Sequence, residues 1–110
     1  MERIEEFLAE RDRLNKRLLA QADLPIKRFF ALDQDVFEDG AIPGKYKELL
    51  GLVASAVLRC EDCVTYHLHR ASQAGATHHE IEESLAIALL IGGSITVPLL
   101  RRAFERLESL

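Results

Sequence analysis

Residues 44–73 read GKYKELLGLVASAVLRCEDCVTYHLHRASQ, and the fold turns on how this stretch is divided. Pro43 and Gly44 open a helix on which Tyr46, Leu49, Leu50, Val53 and Val57 form one apolar stripe, at about 100° per residue. Its other side holds Glu48, Gly51, Leu52 and Ser55, where small residues let a second helix approach a carboxylate closely. That second helix begins around Cys60 to Asp62, since Glu61 and Asp62 suit a helix N-terminus, and Gly75 ends it. Setting Cys60 at 0° puts Cys63 at about 300°, Val64 at about 40°, His67 at about 340° and Ala71 at about 20°. Both thiols and one imidazole therefore share a stripe of small or apolar residues.

The same periodicity continues outward. Ile4, Phe7, Leu8, Leu14, Leu18 and Leu19 predict a first helix over about 2–21. Asp23 as cap and Pro25 in the first turn predict a second, with Ile26, Phe29, Phe30, Leu32, Val36 and Phe37 as its apolar positions, until Asp39-Gly40 stops it near Glu38. Thr77-His78-His79-Glu80 matches a capping box, and Ile81, Leu85, Ala88 and Leu89 carry a fifth helix to Gly92-Gly93. A sixth covers about 95–108. Nothing alternates with period two for long enough to be a strand. The expectation is an all-α chain of six helices forming one domain over 1–110.

Composition removes several function classes. Fourteen Lys and Arg against eighteen Asp and Glu give a net charge of −4, evenly spread, which argues against binding nucleic acid through a basic face. The start, Met1-Glu2-Arg3-Ile4-Glu5-Glu6, lacks the basic beginning and apolar core of an export signal, so a cytoplasmic protein is expected. The longest uncharged run, Ser84 to Leu100, is 17 residues and is interrupted by Gly92-Gly93, Ser94, Thr96 and Pro98. A membrane-spanning helix needs ~20 mostly apolar residues. The run reads as a buried helix ending in a turn, serving core or subunit interface, with no membrane partner.

The chain has two cysteines, both in Cys60-Glu61-Asp62-Cys63. Outside an oxidising compartment this spacing points to redox chemistry or metal binding rather than a structural framework. A helix N-terminus and a nearby imidazolium can lower a thiol pKa to roughly 3.5–7.5, making the nucleophilic thiolate available near neutrality. Cys63 and His67, at i and i+4, suit that coupling, and Cys60 and Cys63, at i and i+3, can close a disulfide across one turn. If the chain reverses near Leu58 to Cys60, Glu48 lies about 15 Å back along one helix and His67 about 10 Å along the next. A glutamate side chain and one water can span the remaining gap, giving a relay from Glu48 to His67 to Cys63. Which cysteine attacks first stays open, because a thioredoxin-like pattern would expose Cys60. Zinc held by Cys60, Cys63, His67 and His69 is the competing reading, but His69 falls at about 180° on the helix, away from the other three. Asp62 and His69 read as solvent-facing, and His78 and His79 as first-turn residues of the fifth helix. No cofactor is expected.

The spacing Glu48, eleven residues, Cys60, two residues, Cys63, three residues, His67 resembles the redox motif of the alkylhydroperoxidase D branch of the carboxymuconolactone decarboxylase family. Gly75-Ala76-Thr77 and Gly92-Gly93 resemble that family's downstream half, so the likeness covers roughly residues 40–100. The resemblance implies an all-helical fold assembling as homo-trimers or homo-hexamers, and a thiol peroxidase or disulfide reductase. Its substrate would be a hydroperoxide or a disulfide, its electron donor a dithiol, a lipoyl-type one included. Cys60 and Cys63 would be the redox pair, with Glu48 and His67 the proton relay. Mycobacterial-type relatives carry a second histidine where this chain has Asp62, and an acid there raises nearby thiol pKa values. The decarboxylase branch usually lacks the cysteine pair, which makes lactone decarboxylation the weaker enzyme reading.

Overall fold

A computed structural model describes residues 3–110. Its helices are α1 (Ile4–Gln21), α2 (Leu24–Phe37), α3 (Gly44–Val57), α4 (Glu61–Gln73), α5 (His78–Gly92) and α6 (Val97–Leu107), and a single turn of 3-10 helix, Ser94–Thr96, leads into α6. The described residues contain no strand, and the fold is all-α as the periodicity predicts.

The centre is an antiparallel layer of α3, α4 and α5. Leu52 and Ala56 of α3, Val64, Leu68 and Ala71 of α4, and Ile81, Leu85 and Ala88 of α5 are essentially sealed from solvent. Ala103 and Leu107 of α6 close the same core. Glu61, in the first turn of α4, lies 3.4 Å from both Arg102 and Arg106, which ties α6 to the end of α4 that carries the cysteines.

Two turns set this layer. Between α3 and α4 the chain reverses through Arg59, whose φ of 62° lies in the left-handed region, while the Cys60 amide donates to the Ser55 carbonyl at 3.0 Å. Between α4 and α5, Gly75 takes φ 94° and the Ala76 amide returns to the Ala71 carbonyl at 2.9 Å, so carbonyls freed at the helix end are satisfied. The capping box on α5 is formed in both directions: the Glu80 amide donates to Thr77 Oγ1 at 3.1 Å, and the Thr77 amide to Glu80 Oε1 at 2.8 Å. Lys45 of α3 meets the same Glu80 at 3.0 Å.

The small-residue side of α3 is the one on which α4 packs, as its residues suggest: Glu48, Leu52 and Ser55 are buried, together with Ala56 and with Leu49 of the apolar stripe, while Tyr46 and Leu50 of that stripe are exposed. Three expectations are corrected. Asp23 occupies the α2 N-cap position but its side chain makes no capping bond. The 95–108 helix starts at Val97, after the 3-10 turn. The Ser84–Leu100 run is buried on one face only, leaving Ile87, Leu90, Ile91 and Ile95 more than half exposed. Of the first helix, Glu2 lies outside the described residues.

Candidate functional site

Cys60 is the N-cap of α4 and Cys63 sits in its first turn, joined by a disulfide with the two Cα atoms 5.3 Å apart. The Cys63 amide also points at Cys60 Sγ, 3.3 Å away, so the sulfur satisfies a backbone donor that the helix leaves free. Cys63 is the more exposed of the two.

One turn further along α4, His67 leans over α3. Its Nδ1 is 2.8 Å from Oε2 of Glu48, with no water between them. The expected bridging water is therefore unnecessary, and the reason is Gly51: a Cβ there would lie 2.9 to 3.1 Å from Cε1, Nε2 and Nδ1 of the imidazole. The missing side chain lets the ring rest on the α3 backbone within reach of the carboxylate. Phe37, the last residue of α2, covers the imidazole with ring centroids 5.2 Å apart, and Tyr66 meets it edge-on at 5.5 Å. Because a carboxylate only accepts, Nδ1 carries the hydrogen toward Glu48, and Nε2 is the nitrogen left to exchange a proton.

Glu48 itself is almost wholly buried, at 5 % exposure, an unusual place for an acid without partners. Its partners are His67 on one oxygen and the Arg70 guanidinium, with Nε 3.7 Å from the other. On this side a polar cavity of about 740 Å³ opens between α2 and α4, lined by Gln34, Glu38, Arg70 and Gln73 among others. A second cavity, about 580 Å³, is walled by Phe7, Leu14, Phe29 and Phe30, and reaches Cys63 and His67.

The four residues singled out from sequence thus converge within one pair of helices. Three neighbours escaped that reading. Arg70 follows His67 by three residues, a helical spacing that could have flagged it, whereas Phe37 and Gly51 reach the ring only through packing between helices. The zinc set is not assembled: Glu48 holds His67, and no cluster of three or more His, Cys, Asp or Glu able to hold a metal occurs among the described residues. His69 is half-buried rather than solvent-facing; loss of hydration, then the neighbouring Arg70 charge, pushes its pKa below the usual 6.5. Among the described residues no helix is long and apolar enough to cross a membrane.

Known proteins share this arrangement of helices. A protein of Thermotoga maritima, whose crystal structure superposes with a TM-score of 0.93, is 51% identical, the match covering 96% of this chain and 92% of that one. A second T. maritima structure, also 51% identical with a TM-score of 0.90 over 94% of this chain and 88% of that one, is described as a carboxymuconolactone decarboxylase family protein for which a part in an antioxidative response is suggested. A Legionella pneumophila protein of the same family shares the fold at 23% identity, with a TM-score of 0.87 over 96% and 95% of the two chains. Among curated sequences, a Cupriavidus necator protein is 36% identical over 56 residues, 51% of this chain and 50% of that one. A protein from the cox locus of Paracoccus denitrificans is 35% identical over 60 residues, 54% of each. The chain thus spans about half the length of the curated relatives it matches. The profile of the carboxymuconolactone decarboxylase family matches residues 26–106, from the first turn of α2 nearly to the end of α6, and the chain belongs to that family.

Proposed function

We propose that the protein is a thiol oxidoreductase that reduces hydroperoxides, or a partner disulfide, through Cys60 and Cys63, with His67 and Glu48 moving the proton. The observation that carries this reading is a disulfide across the first turn of α4 that shares a cavity with a histidine held from behind by a buried glutamate. Lactone decarboxylation would give the cysteine pair no task. Cys63 is assigned the attack because it is the more exposed thiol and the one that lines the cavity.

In the reduced protein the Cys63 thiolate attacks one peroxide oxygen; an S–O bond forms, the O–O bond breaks, and the departing alkoxide takes a proton from His67 to leave as the alcohol. Cys60 then attacks the resulting sulfenic acid, the S–S bond closes, and hydroxide leaves with a proton as water. A dithiol returns two electrons and two protons through a mixed disulfide and becomes a disulfide itself. Glu48 keeps the imidazole oriented and offsets its charge while it is protonated.

The test is a pair of variants. His67→Ala should slow Cys63 alkylation at neutral pH and lower hydroperoxide turnover at least tenfold, since general-base help is typically worth ~10²–10⁴-fold. Glu48→Gln, one step removed, should show a smaller loss in both. Unchanged rates in both folded variants would refute the relay, and stoichiometric zinc released by His67→Ala would favour a metal site instead.

We further propose that copies of the chain associate, as trimers or hexamers. The support is the exposed apolar surface of α5 and the turn after it, Ile87, Leu90, Ile91 and Ile95, together with Leu58. Light scattering at micromolar concentration should give a multiple of 12.4 kDa, and a stable species at 12.4 kDa would refute association.

A further inference from the structure

The cavity beside Cys63 has a chemistry of its own. Its walls come from three helices: Phe7 and Leu14 of α1, Phe29 and Phe30 of α2, and the α4 segment that carries Cys63 and His67. A volume of about 580 Å³ is within the range of small-ligand sites and far exceeds what hydrogen peroxide would fill. The charged groups around it are Glu10, Asp33 and Asp62, with Arg11 its one permanently charged cation and His67 a second while it is protonated. Glu10 is engaged by Arg13 at 2.6 Å. The Arg11 guanidinium is laid on the Tyr66 ring, 3.7 Å from its centroid. Asp33 and Asp62 have no ion-pair partner among the described residues. An apolar floor beneath two unpaired carboxylates disfavours an anion and leaves room for an uncharged apolar group.

We propose that this cavity is a selectivity pocket: it seats an uncharged aryl or branched-alkyl group against Phe7, Leu14 and Phe29 beside Cys63, and Asp33 and Asp62 turn away carboxylate-bearing reagents. The inference rests on the reading above insofar as Cys63 is the reacting thiol. It adds which molecules reach that thiol, and by which residues.

The experiment uses the reduced full chain and three alkylating agents with one leaving group: iodoacetamide, iodoacetate and N-phenyl iodoacetamide. Cys63 modification is followed by mass spectrometry, and each rate is divided by that of free cysteine with the same reagent. The phenyl reagent should gain about tenfold over iodoacetamide from the buried ring area. Iodoacetate should lose about threefold, a difference that shrinks in high salt. Phe29→Ala and Leu14→Ala, both at exposed positions, should cut the phenyl advantage, and Asp33→Asn should remove about half of the discrimination against iodoacetate. Equal normalised rates for the three reagents would overturn the proposal, and so would a preference for iodoacetate, which would hand the site to Arg11 as an anion anchor. Hydroperoxide turnover is measured beside this. The predicted rank order without any turnover upholds the pocket and refutes the peroxidase reading, whereas turnover with a flat rank order does the opposite.

Discussion

Helices α2 and α4 are almost equal in length, 14 and 13 residues, and equally amphipathic, yet they end in opposite circumstances. Helix α4 buries Val64, Thr65, Leu68 and Ala71 and places His67 on a glutamate of α3. Helix α2 buries no residue; Leu24, Phe29, Leu32 and Val36 are more than half exposed, although Phe37 still covers the His67 ring. Amphipathicity says that a face seeks cover. It does not say whether the same chain supplies it. The residues proposed to handle the proton stand on the rigid pair, where geometry is held by core packing, while the wall of the cavity and one cover of the imidazole come from the helix that packing holds least.

The comparison breaks most sharply on stability. Leu68→Ala removes a side chain with no exposed surface and should cost about 2–5 kcal/mol, whereas Leu32→Ala on α2 should stay within about 0.5 kcal/mol, both read from denaturant midpoints. Equal losses would mean that α2 is held far more firmly than its burial suggests.

A smaller effect sharpens the link between packing and chemistry. Gly51→Ala puts a Cβ within 2.9 Å of the imidazole, so the ring must shift off the Glu48 carboxylate. Turnover and Cys63 alkylation should fall about tenfold, the scale expected of a misplaced base, with the helical content unchanged. Retained rates would show that the ring position is not what matters. Phe37→Leu, which keeps an apolar cover, should cost less than Gly51→Ala in the same assay, because α2 can yield where the α3 backbone cannot.

The smallest expected effect concerns the frame around the site. Thr77→Ala removes the capping box of α5 and should cost about 1 kcal/mol at neutral pH. The Thr77 backbone amide and Lys45 hold the Glu80 carboxyl below its ordinary 4.5. A lowered carboxyl pKa adds stability above the unfolded value and loses it as pH falls through the folded one. The gap between wild type and Glu80→Gln, which removes the titrating carboxyl, should therefore narrow below about pH 4.5, a trend that urea titrations at several pH values would detect. A gap that widened in acid would mean Glu80 is not the group involved.

Much of this was legible in advance, for definite reasons. Helix boundaries were readable wherever local chemistry sets them: Pro25 in a first turn, Gly75 with its positive φ, the Thr77–Glu80 box. The spacing of Cys60, Cys63 and His67 on one helix is a matter of residues per turn, so their shared stripe could be computed without tertiary knowledge. The buried side of α3 could be read in part: the small residues Gly51 and Ser55 beside Glu48 marked where α4 approaches, whereas it took the packed structure to separate Leu49, which is buried, from Tyr46 and Leu50 of the same stripe, which are exposed. The apolar run of α5 misled for a related cause: hydrophobicity alone does not distinguish a core face from one left at the surface, where Leu90 is 84 % exposed.

By itself, then, the sequence determined what depends on neighbours along the chain: six helices, their ends, and a thiol pair in the first turn of a helix with a histidine one turn on. Tertiary structure decided what depends on neighbours across space. It set a direct rather than water-bridged contact between Glu48 and His67, the ring of Phe37 over the imidazole, and an apolar cavity beside one thiol and not the other. Helix periodicity is a property of the backbone and repeats in any context, whereas the meeting of two faces depends on the volumes that both present, and a single absent Cβ at Gly51 was enough to place the site.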